Sequence, residues 1–215
     1  MAKPIRLPIP WQSGSKASVF NWHHSSEDEF CFYARSFHKA AQALVRRLES
    51  DKNLRTDWDA CPVVFMYRQA VELHLKAIIL GSGANFLPSK PDPAWVYQTH
   101  SLRRLLLRVW RVLKAVGWDQ HFKCEGVSDL AELRAIFDDL DALDAGSFAF
   151  RYPVASSEPQ AALGQLTFNL QEFAKQMDAV LDLLNATADA LAATWDTRDE
   201  GTELDGGNSV PATIH

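Results

Sequence analysis

The sequence predicts an all-α protein, an up-and-down bundle of about five helices. Three observations carry this prediction. Apolar residues recur by threes and fours over five separate stretches. Residues that start and stop helices flank those stretches. Strand-like patterning is confined to one short run, FAFRYPV. The chain has 215 residues, 47% hydrophobic and 23% charged, which suits one domain with a sizeable core.

The first 24 residues carry Pro4, Pro8, Pro10, Trp11 and Trp22 and are expected to form an extended arm. The first helix is expected over 26–50. Ser26 and Glu29 have the capping-box spacing, and Phe30, Phe37, Leu44 and Leu48 form one apolar face. The second is expected to begin after Pro62, which suits a first turn, and to stop at Gly81. It is apolar nearly all round and so belongs in the middle of the bundle. A loop with Gly83, Pro88, Pro91 and Pro93 is expected next.

The third helix is expected over 99–116, with Thr99 or Ser101 as N-cap. Its Arg103, Arg104, Arg108, Arg111 and Lys114 share an arc of roughly 140°. The fourth, over 128–143, is acidic through Asp129, Glu132, Asp138, Asp139 and Asp141. A connector, DAGSFAFRYPV, leads to a long last helix expected from near Pro159 to near Trp195, with an apolar seam close to a heptad. Residues 25–195 thus form the domain, and 196–215, Gly-rich and acidic, read as a disordered tail.

The formal net charge of −5 announces no global attraction to nucleic acid, so any such contact needs a local basic patch. The arginine arc of the third helix is one candidate. Its plainer reading is a solvated face, or one paired with the acidic helix that follows, because aromatics able to stack bases are not interleaved with its cations. Cys31, Cys61 and Cys124 form neither a CxxC pair nor an even set, so reduced thiols are expected rather than a disulfide framework. His and Cys are too sparse for a metal site, and no phosphate-binding glycine loop or GxSxG elbow occurs; no metal and no cofactor are expected. The start, MAKPIRLPIPW, lacks the apolar region of a signal peptide, and no apolar run reaches the roughly 20 residues of a bilayer span. A cytoplasmic protein without membrane association is expected.

The candidate chemistry begins on the second helix. Arg68, Glu72 and Lys76 recur at i, i+4 and i+8, within roughly 80° of one another on the wheel. Charges on an apolar helix must be paired or line a polar cleft. They therefore read either as a self-compensating ladder, with Asp144 or Arg151 as outside partners, or as a ligand cleft. His100 stands at the start of the third helix in THSL. In FRYP, Arg151 is held among Phe148, Phe150 and Tyr152, with five donors for a carboxylate or phosphate.

YRQAVELHLKAIIL, then THSL, then FRYP before a long last helix, together resemble a bacterial branch of the HEPN superfamily, as a pattern over roughly residues 30–190. The resemblance implies a helical bundle, often a homodimer. It also implies either a metal-independent ribonuclease of bacterial defence or toxin–antitoxin systems, or a non-catalytic partner of a nucleotidyltransferase. RNA or a nucleotide is then the expected ligand. Active members carry Arg-x4-6-His, in which the histidine serves as general acid or base and the arginine stabilises the phosphate. Here Arg68 and His74 fit the count, but on one continuous helix they lie about 120° apart and do not converge. The expected catalytic set is thus His74 or His100 as base with Arg68 or Arg151 as stabiliser, and Glu72, Lys76 and Tyr152 as binding residues. The rival expectation is a non-catalytic helical interaction module or accessory subunit.

Overall fold

The computed structural model describes residues 26–50, 59–87, 89, 91–144 and 168–203. The N-terminal arm, the connector with Arg151 and Tyr152, and residues 204–215 lie outside the described residues. Within them the protein is an all-α bundle of six helices: α1 (Ser26–Ser50), α2 (Ala60–Phe86), α3 (Pro93–Gln98), α4 (Leu102–Val116), α5 (Leu130–Asp144) and α6 (Leu170–Glu203). No strand forms among these residues; the one β feature is an isolated bridge between Cys124 and Val127.

α2 occupies the middle, packing against α1, α3, α4 and α6. Its all-round apolarity has this purpose: Val63, Tyr67, Leu75 and Ile79 are buried on one side of the helix, and Ala70, Leu73 and Ala77 are buried on the other. α4 has one apolar stripe, Leu102, Leu105, Leu106, Val109, Val112 and Leu113, and turns it inward. Phe137 and Leu140 from α5 and Met177, Val180, Leu181 and Leu184 from α6 close the same core.

Several boundaries differ from those expected, each for a local reason. α2 runs through Gly81 to Phe86, because Phe86 and Leu87 still find core to pack against. A single helical glycine costs only about 1 kcal/mol, which such burial offsets. The expected proline loop contains α3, with Pro93 in the first turn and the Asp92 side chain accepting from Ala94 N. The helix expected from Thr99 therefore begins at Leu102. Ser101 is its N-cap, accepting from Arg104 N at 3.3 Å, and the Thr99 hydroxyl instead closes α3 by donating to Trp95 O at 2.7 Å. α4 stops at Gly117, whose φ of 76° is the left-handed conformation that ends helices. α6 starts at Leu170, not near Pro159, because Asn169 caps it, accepting from Gln171 N at 2.9 Å and Glu172 N at 3.3 Å. It continues past Trp195 to Glu203. No helix among the described residues is long and apolar enough to cross a membrane.

Candidate functional site

The ladder on α2 faces the α3–α4 junction. Arg68, Glu72 and Lys76 are 0%, 1% and 3% exposed, so each charge must be answered within the fold. Glu72 does most of this. Its Oε2 accepts from Arg68 Nη1 at 3.1 Å, and its Oε1 accepts from Lys76 Nζ at 2.8 Å and from His100 Nδ1 at 2.9 Å. One carboxylate thus ties together two cations on its own helix and a histidine from the next segment.

The junction answers the remaining donors with backbone. Arg68 Nη2 donates to His100 O at 2.8 Å, and Lys76 Nζ donates to Tyr97 O at 3.2 Å. Both carbonyls are freed because α3 ends at Gln98 and α4 begins only at Leu102. Asp141 of α5 completes the cluster. It accepts from Ser101 Oγ at 2.7 Å, Leu102 N at 2.9 Å and Arg103 N at 3.1 Å, so a carboxylate occupies the positive end of α4. Its Oδ1 also lies 3.6 Å from Arg68 Nη2. Arg68 Nε has no partner. The three charges therefore compensate one another, with His100, Asp141 and two carbonyls as further partners.

His100 differs from the rest of the cluster. Its side chain is 48% exposed although its Nδ1 is held by a carboxylate that is itself 2% exposed. An ionised carboxylate only accepts, so Nδ1 carries the hydrogen and Nε2 carries the basic lone pair. A buried carboxylate that fixes the tautomer and orientation of a half-exposed imidazole is the arrangement by which acid–base histidines are prepared.

His74 lies elsewhere. It is 0% exposed, and neither ring nitrogen has a hydrogen-bond partner. Its charged neighbours are Arg35 and His38 of α1 and Asp189 of α6, none of which touches the Glu72 cluster. Burial, reinforced by Arg35 and His38, lowers its pKa to about 4, so it is neutral at physiological pH. The 120° separation from Arg68 thus puts the two on different faces of α2, and the Arg68–His74 pair does not meet one phosphate. Arg151 and Tyr152 lie outside the described residues.

The structure adds residues that the sequence did not single out. Asp141 and Ser101 belong to the Glu72 cluster. On the α1–α6 side, Asp178 Oδ1 accepts from Tyr67 Oη at 2.9 Å and lies 2.7 Å from His38 Nε2. Burial and that carboxylate push the Tyr67 phenol up. Trp95 of α3 lies under the guanidinium groups of Arg104 and Arg108, at 5.7 Å and 5.8 Å from its ring centre, and Trp110 lies 6.0 Å from Lys114 Nζ. The basic arc is therefore lined by aromatics in space, Trp110 from within α4 and Trp95 from outside it. A helix earlier in the chain supplies Trp95, and no periodicity within α4 could reveal it. No group of three or more His, Cys, Asp or Glu side chains among the described residues could hold a metal ion.

The fold and this cluster together define a helical bundle with a buried ionic hub that presents one oriented histidine. No family model, no curated protein and no solved structure matches the chain.

Proposed function

We propose that the protein is a HEPN-like factor acting on RNA or a nucleotide, with His100 as its acid–base group and Glu72 as the residue that orients it. The observation that carries this reading is the 2.9 Å contact between the half-exposed His100 ring and the buried Glu72 carboxylate. A ladder that served only to neutralise charge would not need a histidine at its exposed end. In this reading His100 Nε2 takes the proton of a ribose 2′-OH, and the 2′-oxygen attacks the adjacent phosphorus. The bond to the 5′-oxygen then breaks, and water protonates that leaving group. The imidazolium returns its proton to solvent. Arg68, fully buried, is a positioning residue: it holds the His100 carbonyl and balances Glu72. Charge on the phosphorane falls to exposed cations near His100, of which Arg104, one turn on, is the first choice.

A mixed RNA pool incubated with full-length protein and a chelator tests this. Cleavage by wild type, lost in a His100→Ala variant whose circular dichroism is unchanged, is the expected result. No cleavage by wild type at high protein and low salt would reject it. A second reading has its own support. Arg68, Glu72 and Lys76 are satisfied within the fold, as they would be in a non-catalytic interaction module. A nucleotidyltransferase and a second copy of the chain are the partners that the resemblance brings to either reading, and light scattering on the purified protein tests the second of them.

A further inference from the structure

α4 carries five cations and no acidic residue, in a chain whose formal net charge is −5. Such segregation has to be maintained against the acidic helix beside it. α5 neutralises little of it: Arg103 lies 3.6 Å from Asp138, which Arg134 shares at the same distance, and Asp141 is taken up by the amides at the start of α4. Among the described residues, Arg104, Arg108, Arg111 and Lys114 have no carboxylate at ion-pair distance.

Three of these four are nevertheless held in place. Trp95 lies under Arg104 and Arg108, and Trp110 lies beside Lys114. The difference between a π face and a carboxylate matters here. A carboxylate would neutralise the cation and use up its donors, whereas a ring orders the side chain and leaves its charge and N–H groups available. Arg104, Arg108 and Arg111 follow one line along the helix, spanning about 10 Å at about 1.5 Å per residue. Leu107, 41% exposed, falls on the same arc between Arg111 and Lys114. Tyr97, 45% exposed, is the penultimate residue of α3, three before His100; one face of its ring stacks on Phe30 of α1 at 5.9 Å between centres, which leaves the other face for a ligand.

We propose that the exposed face of α3 and α4 is a platform for single-stranded nucleic acid, on which Arg104, Arg108, Arg111 and Lys114 take phosphates and Tyr97 offers its ring to a base. The inference rests on the RNA-directed reading above, because the platform ends at His100. A row of ordered, unneutralised cations fits a polyanion. The exposed ring and Leu107 at its edge fit unstacked bases, which a duplex does not present. Four phosphate contacts to a single strand give a salt slope of about −3, or roughly 50-fold weaker binding between about 50 and about 200 mM salt.

The test is binding of full-length wild type to a labelled 2′-O-methyl single strand of mixed sequence, which has no nucleophile and is not cleaved, with its duplex and poly-glutamate as alternative ligands. The four-site variant Arg104→Gln, Arg108→Gln, Arg111→Gln, Lys114→Gln is expected to bind at least tenfold more weakly and to lose most of the salt slope. Arg108 is partly buried, so the variant lacking only its change, with three exposed cations replaced, keeps the measurement independent of folding. Tyr97→Ala is expected to weaken binding about fivefold or more without changing the slope. Equal binding by the variants and wild type would overturn the platform, as would tighter binding to the duplex, or displacement by poly-glutamate at equal charge, which would mark an acidic protein as the partner. Binding with these properties but without cleavage of ordinary RNA would leave the platform standing and reject His100 as an acid–base group. Cleavage that survives all four α4 changes would overturn the platform and the role given to Arg104, while leaving His100 standing as the acid–base group.

Discussion

The two faces of α2 handle buried polarity in opposite ways. Toward the α3–α4 junction, three charges are buried together and each has a partner. Toward α1 and α6, His74 is buried with no partner for either ring nitrogen among the described residues. The first face supplies its groups with counter-charge and carbonyls at hydrogen-bond distance, and it ends in an accessible histidine. The second keeps its histidine neutral chiefly by desolvation, reinforced by Arg35 and His38. Of two histidines on or beside one helix, one is exposed and held by a carboxylate, and the other is enclosed among α1, α2 and α6.

The largest effect expected from breaking this contrast comes from Glu72. Glu72→Gln leaves Arg68 and Lys76 buried without their shared anion and should cost about 3–5 kcal/mol in urea unfolding. Replacing the whole ladder, with Arg68→Met, Glu72→Leu and Lys76→Met together, should cost less than Glu72→Gln alone, because no unpaired charge remains. A larger loss in the triple variant would show that the charges hold the α3–α4 junction by more than mutual neutralisation.

The next effect belongs to the other face and depends on pH. The folded pKa of His74 is about 4 against an ordinary value of 6.5. Between those values the unfolded chain binds a proton that the folded chain does not, so stability falls as pH drops from 6.5 to 4. The full penalty is about 3 kcal/mol. His74→Leu should remove that slope from a stability-against-pH curve, and an unchanged slope would place the acid sensitivity in another group. Smaller still is Asp141→Asn. Its side chain serves Ser101 and two amides at the start of α4, and loss of its charge should cost about 1 kcal/mol in thermal unfolding.

The helices were legible because their signals are local. The first helix follows its apolar face, and α2 declares its central place by being apolar nearly all round. Boundaries set by tertiary contacts were not legible: Gly81 stops a helix in isolation but not where Phe86 can still be buried. The site was legible in part for the same reason. The spacing of Arg68, Glu72 and Lys76 marks them as one ladder, and wheel geometry already separates His74 from Arg68. Asp141 and Trp95 could not be read, because each reaches its partners across a helix boundary and nothing in local periodicity reports such pairs.

The most direct measurement sets the two histidines against each other: cleavage of an RNA pool in the presence of a chelator, by wild type, His100→Ala and His74→Leu. His100 is half-exposed, so its loss should cost no more than about 1 kcal/mol of stability, yet it should abolish cleavage. His74→Leu should retain cleavage while flattening the acid limb of stability. Cleavage that persists without His100, or that disappears from a folded His74→Leu protein alone, would contradict the proposal that His100, oriented by Glu72, is the acid–base group.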